Sequence, residues 1–315
     1  MFNFAPAVPS RSDIDWCWYL RRQGKSGEAL ERALHDIGVM DPGGWALWGP
    51  SRLTATGAPV EMQFCEGQTD LALITEIADP DSDPTNRMSD ACKIMTNFGA
   101  KQPDAALRDV ISAAQSAGML TYGARLELRH GRNGLRCALL AELPADATDL
   151  SGLMCPNTFG PVIETLGNGT SAHMVRFDGT TGEVTVFFKV KEATPDILPK
   201  LTAPAQVSAH VLAHTIDAAI GDRQVEQLGF SYKIAAFDKV PVLQLTFATD
   251  QDFGTDADIT RYAKLRGGTQ LPAYLGLVDN LQPTSNRHHG TIGLTARPGA
   301  DPLLSICVAA PWNNV

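Results

Sequence analysis

The sequence predicts an α+β protein built as a ten-stranded antiparallel β-barrel surrounded by a ring of α-helices. Three observations lead there. Ten short segments alternate apolar and polar residues with period two. They come in pairs joined by short polar turns, and stretches of helical spacing follow the pairs. A strand–strand–helix unit therefore recurs about five times, at a spacing of roughly 50–60 residues. Strands joined by hairpins run antiparallel. Ten of them with helices gathered on one face close into a barrel inside a helical ring. An open sheet with one wet face is the alternative arrangement of the same elements.

The first pair is 58–64 and 70–78 (DLALITEIA), entered through the turn Thr56-Gly57-Ala58-Pro59 and joined by Cys65–Thr69. Helical spacing fills 87–118 and breaks at Pro103. The second pair, 124–130 and 135–143, turns through Gly131-Arg132-Asn133-Gly134, and an apolar stretch, 151–167, is read as helical. The third pair is 172–178 and 183–190, followed by a long helical stretch over 195–228. The fourth is 230–238 and 241–249, with a helix at 256–266. The fifth is 289–297 and 302–310.

Alternation assigns the faces. Val60, Met62 and Phe64 share one face of the first strand, and Glu61 and Gln63 the other. Leu135, Cys137, Leu139 and Ala141, then Val184, Val186 and Phe188, then Leu243, Leu245 and Phe247 form apolar faces for the helices to cover. The opposite faces are mixed and suit the wall of a solvated chamber. By parity, Glu61, Glu76, Glu127 and Glu183 point inward, as do Arg125, Arg136, Lys189 and Lys233.

Composition narrows the class without naming a chemistry. The chain has 315 residues, 44% hydrophobic and 19% charged, with a mean hydropathy of -0.08, as expected of a soluble globular protein. One domain over 1–315 accommodates five repeats. A formal charge of -9 and a pI near 5.2 argue against a nucleic-acid partner. No apolar run approaches the roughly 20 residues of a membrane helix. The start, MFNFAPAVPSRSD, lacks the charged and apolar regions of a signal peptide, so a cytoplasmic location is expected. Six cysteines without any CxxC read as buried free thiols rather than disulfides or a zinc site.

With the five-unit order, Leu53-Thr54 and Gly57-Ala58-Pro59-Val60-Glu61 resemble the first-strand pattern of the dimethylallyltryptophan synthase family of aromatic prenyltransferases. That resemblance implies the ten-stranded ABBA prenyltransferase barrel. It also implies that Glu61 accepts a hydrogen bond from an indole N–H. It further implies metal-independent chemistry without a cofactor, in which an electron-rich ring attacks an allylic cation released from a prenyl diphosphate. Two physical needs follow. Cations must hold the leaving diphosphate as its charge grows, and aromatic faces must screen the cation from water.

At those positions the sequence departs from the family. Where Arg-x-Lys-x-Tyr is expected, the chain has Glu183-Val184-Thr185-Val186-Phe187. Where Lys-x-Tyr is expected it has Arg136-Cys137-Ala138, and where Gln-x-Tyr is expected, Gln244-Leu245-Thr246. The second strand's Arg falls near Ala72. Expected diphosphate contacts are thus Arg136, Lys189, Lys233 and Gln244, with Gln63, Thr185, Phe187 and Thr246 lining the substrate space. The leading expectation is prenyl transfer to an indole-type small molecule. The second is a diphosphate-independent cyclase on the same barrel, using Glu61, Glu127 and Glu183 for proton transfer. The third is a non-catalytic small-molecule binder. A monomer or homodimer is expected.

Other motifs read blandly. His210, His214 and Asp217 have metal-like spacing, but on a helix outside the barrel. His288-His289 is read as a loop tip, and DPDSDP (79–84) as a loop after the second strand. No GxGxxG, P-loop or GxSxG pattern appears.

Overall fold

The computed structural model describes residues 16–40, 48, 51–144, 169–191, 196–221, 225, 227–233, 240–267, 271–279 and 288–309. The helix read over 151–167 lies outside them. Ten strands form: β1 Val60–Cys65, β2 Leu71–Thr75, β3 Ala124–Gly131, β4 Gly134–Glu142, β5 Thr170–Asp178, β6 Val184–Lys191, β7 Gln227–Lys233, β8 Val242–Ala248, β9 His289–Ala296 and β10 Leu303–Ala309. Each pairs antiparallel with its neighbours in sequence, and β10 closes on β1, giving a barrel with no free edge.

The turn before β1 is built by its own sequence. Gly57, at φ 82°, donates its N–H to the Thr54 carbonyl at 3.1 Å, and the Thr54 hydroxyl donates to Ala58 O at 3.0 Å. This fixes the strand's start and therefore which residues face inward.

Around the barrel lie α1 Trp16–Arg22, α2 Lys25–Ile37, α3 Arg87–Asn97, α4 Ala105–Ser116, α5 Ile197–Thr202, α6 Ala209–Ile220, α7 Thr249–Asp252, α8 Asp256–Gly267 and α9 Pro272–Val278. Asp104 caps α4 by accepting Leu107 N–H at 2.8 Å, so the break at Pro103 is a true helix boundary. The stretch read as one helix over 195–228 is two, because Ser208 starts a new helix by capping Val211. Residues 227–228 already belong to β7. The core fills the gap between the barrel's outer face and the helices. Met62, Leu139, Phe188, Leu245 and Ile306 meet Leu34, Met95 and Leu212 there, all buried. The faces assigned to the helices by alternation are those the helices cover.

Two β-bulges interrupt that alternation. In β5 the register slips between Ala172 and Met174, leaving His173 as the extra residue. In β9, Gly290 and Thr291 together oppose Cys307. Three expectations are corrected here. His289 is not a loop tip but the buried first residue of β9. Glu76 lies beyond β2. Glu183 precedes β6, so it belongs to the hairpin rather than the wall.

Candidate functional site

The barrel encloses a chamber of about 1250 Å³. Glu61, Gln63, Glu127, Arg136, Thr185, Phe187, Lys189, Lys233, Gln244 and Thr246 all line it, as parity placed them. Glu183 does not. Its carboxylate turns to Lys233 at 2.9 Å at the hairpin end of the barrel.

Glu61 is 5% exposed, and no hydrogen bond to its carboxylate is found among the described residues. Burial pushes its pKa up to about 7, a rise that Arg125 opposes. The group therefore holds or releases a proton near neutral pH and has unused acceptor capacity. Beside it on β10, Cys307 is raised well above an ordinary thiol, by burial first and the Glu61 charge second.

Most of the other chamber charges are paired with one another. Glu127 takes Arg176 at 2.8 Å and Arg129 at 3.4 Å. Burial would raise its pKa, but the two guanidinium groups outweigh that and hold it at about 2. Arg176 also reaches Asp178 at 3.2 Å, and Arg129 donates to Gln63 at 3.2 Å. Arg136 pairs with Asp70, and Arg125 with Glu76 at 2.9 Å. Glu76 is in turn held by Arg87 at 2.7 Å and by the Ser51 hydroxyl at 2.6 Å. Arg297 and the exposed Lys189 line the chamber with no carboxylate partner among the described residues. Burial and the Lys189 charge drive the His173 pKa down to about 3, so this imidazole is neutral. It meets Phe187 edge-on, with centroids 6.4 Å apart.

Several lining residues escaped the sequence reading. Arg129 follows Glu127 by two and obeys the same parity. Arg176 stands opposite Thr185 and shares its inward parity, whereas His173 was hidden by the β5 bulge. Tyr122 precedes β3 and lines the chamber with Arg125 over its ring, 4.0 Å from the centroid. The bland motifs stay bland. His210 and His214 are exposed. Asp79 and Asp83 accept backbone N–H groups of Asp81 and Thr85 within their own loop.

No family model matches the sequence, and no curated protein matches it. Solved structures do match in fold. A 6-dimethylallyl tryptophan synthase is 15% identical, with a TM-score of 0.71 over 98% of this chain and all of that one. The 5-dimethylallyl tryptophan synthase from Streptomyces coelicolor, in complex with DMASPP and Trp, is 11% identical, with a TM-score of 0.72 over 94% and 93% of the two chains. The prenyltransferase PriB is 11% identical, with a TM-score of 0.70 over 96% and 98%. The chain thus has the fold of the dimethylallyltryptophan synthase-type aromatic prenyltransferases, a closed ten-stranded ABBA barrel ringed by helices.

Proposed function

We propose that the chain is an aromatic prenyltransferase-like enzyme that holds an indole-type N–H acceptor on Glu61 and alkylates the electron-rich ring. One observation carries this reading: a buried carboxylate with unused acceptor capacity, aimed into the chamber of a barrel with the prenyltransferase fold. Accepting the N–H bond orients the ring and draws electron density toward the carbon that attacks. In the transfer itself, the allylic carbon–oxygen bond breaks and a carbon–carbon bond to the ring forms. The diphosphate leaves with the bonding pair, and the ring loses a proton.

A second reading is favoured by a different observation. Arg125, Arg129, Arg136, Arg176 and Lys233 all have carboxylate partners already. A diphosphate must displace Asp70 from Arg136, or Glu183 from Lys233, to gain those cations. A cyclase acting on a substrate that already carries its unsaturated chain needs no such exchange. There, a chamber acid protonates an alkene carbon, and the ring traps the resulting cation and returns the proton.

Calorimetry with inorganic pyrophosphate separates the two. Micromolar affinity that falls at least tenfold in Arg136→Ala supports prenyl transfer. No binding at millimolar pyrophosphate, with a product formed from a diphosphate-free substrate, supports the cyclase.

A further inference from the structure

We propose that Gly290 is a positioning residue for Glu61: the β9 bulge turns a glycine toward the chamber, and its missing side chain leaves the recess in which the Glu61 carboxylate lies. The proposal rests on the reading of Glu61 as the substrate-orienting group, and it holds whichever electrophile is used.

The distances carry it. A Cβ built on Gly290 stands 1.9 Å from Glu61 Oε1 and 3.1 Å from its Cδ. Gly290 is not among the glycines of positive φ, so its backbone suits any residue. The demand for glycine there is one of space. Its place facing β1 exists only because Gly290 and Thr291 share the position opposite Cys307. Without the extra residue, alternation would present a different side chain to Glu61.

The bulge is held from outside the barrel. Asp256, in the first turn of α8, accepts His288 N–H at 2.9 Å and His289 N–H at 3.2 Å, and contacts His289 Nδ1 at 2.7 Å. The other ring nitrogen of His289 meets the Tyr274 hydroxyl of α9 at 2.8 Å. The Thr249 hydroxyl donates to the carbonyls of His289 and Gly290. None of Asp256, Tyr274 and Thr249 lines the chamber, yet together they fix the backbone that shapes the recess.

A methyl group at position 290 would push the carboxylate out of the recess, toward chamber water and Arg125. The charged and titratable groups around Glu61 are Arg125 on β3, itself paired with Glu76, and Cys307 on β10. Moving away from Cys307 and toward Arg125 favours the ionised form.

The test follows the Glu61 carboxyl by carbon-13 NMR in glutamate-labelled protein, its resonance identified by loss in Glu61→Gln. In Gly290→Ala the titration midpoint should fall by about one pH unit or more. Thr249→Val keeps the glycine but releases the bulge, and it should shift the midpoint the same way by less. It also carries the test if Gly290→Ala does not fold. A folded Gly290→Ala with the wild-type midpoint, or an unchanged midpoint in Thr249→Val where Gly290→Ala is unfolded, overturns the proposal. The reading of Glu61 itself is judged separately, by whether wild-type protein prefers indole to 1-methylindole.

Discussion

Glu61 and Glu127 lie in the same chamber and titrate in opposite directions, because one faces a single opposed cation and the other two close guanidinium groups. The sign of each consequence differs. For Glu61 the folded-state pKa rises from 4.5 to about 7, so the group's contribution to stability is present below about 4.5 and lost as pH climbs through 7. At pH 9 that loss costs about 3 kcal/mol. Glu61→Gln should therefore raise the denaturation midpoint at pH 9 and leave it nearly unchanged at pH 4. For Glu127 the shift to about 2 stabilises the fold above the unfolded-state pKa, and the gain disappears as pH falls through about 2. Turnover should respond the other way from alkaline stability at position 61. Glu61→Ala removes the acceptor for a buried N–H at roughly 1–3 kcal/mol, so activity should fall from wild type to Gln to Ala with folding intact. Unchanged turnover in Glu61→Ala would reduce Glu61 to an ordinary strand residue.

Individual elements are tied to the barrel by buried charge as well as by apolar contact. Arg87, at the start of α3 and only 2% exposed, holds Glu76 at 2.7 Å and the Asp79 carbonyl at 2.6 Å. Arg87→Met leaves Glu76 with Arg125 and the Ser51 hydroxyl, so in chemical denaturation it should destabilise the protein by less than the about 3–5 kcal/mol of an uncompensated buried charge. Arg176→Met should behave alike, since Glu127 keeps Arg129. The hairpins were legible in the sequence because most strands alternate cleanly and the turns carry glycine or polar residues. α1 and α2 were not, since they precede the first strand–strand–helix unit, and α9 was not, since the fourth unit was read with a single helix. The bulges hid residues for a different reason. One inserted residue reverses parity, so His173 in β5 and Gly290 in β9 could not be assigned a face by counting. Glu183 had the right parity, but the strand starts one residue later. Partners were the least legible feature. Parity says that Arg136 and Glu127 face inward, but not that Asp70 and Arg176 will claim them.

Closure of ten strands gives the molecule an interior wall whose chemistry is decoupled from its outer core. The outer face is largely apolar and stabilises the fold, leaving the inner face free to carry polar and charged groups. Four of its arginines are already paired with carboxylates. Substrate binding has to work against ion pairs already in place, and pyrophosphate affinity should therefore rise when Asp70→Asn frees Arg136. An Asp81→Asn variant, with the same charge change in a remote loop, should leave it unchanged. The leading reading rests on an N–H acceptor site at Glu61, and calorimetry with indole and 1-methylindole tests it most directly. Indole should bind the wild-type protein at least tenfold more tightly than its N-methyl analogue, and Glu61→Ala should erase that preference. Equal binding of the two ligands by the wild-type protein, or a preference that survives in Glu61→Ala, would contradict it.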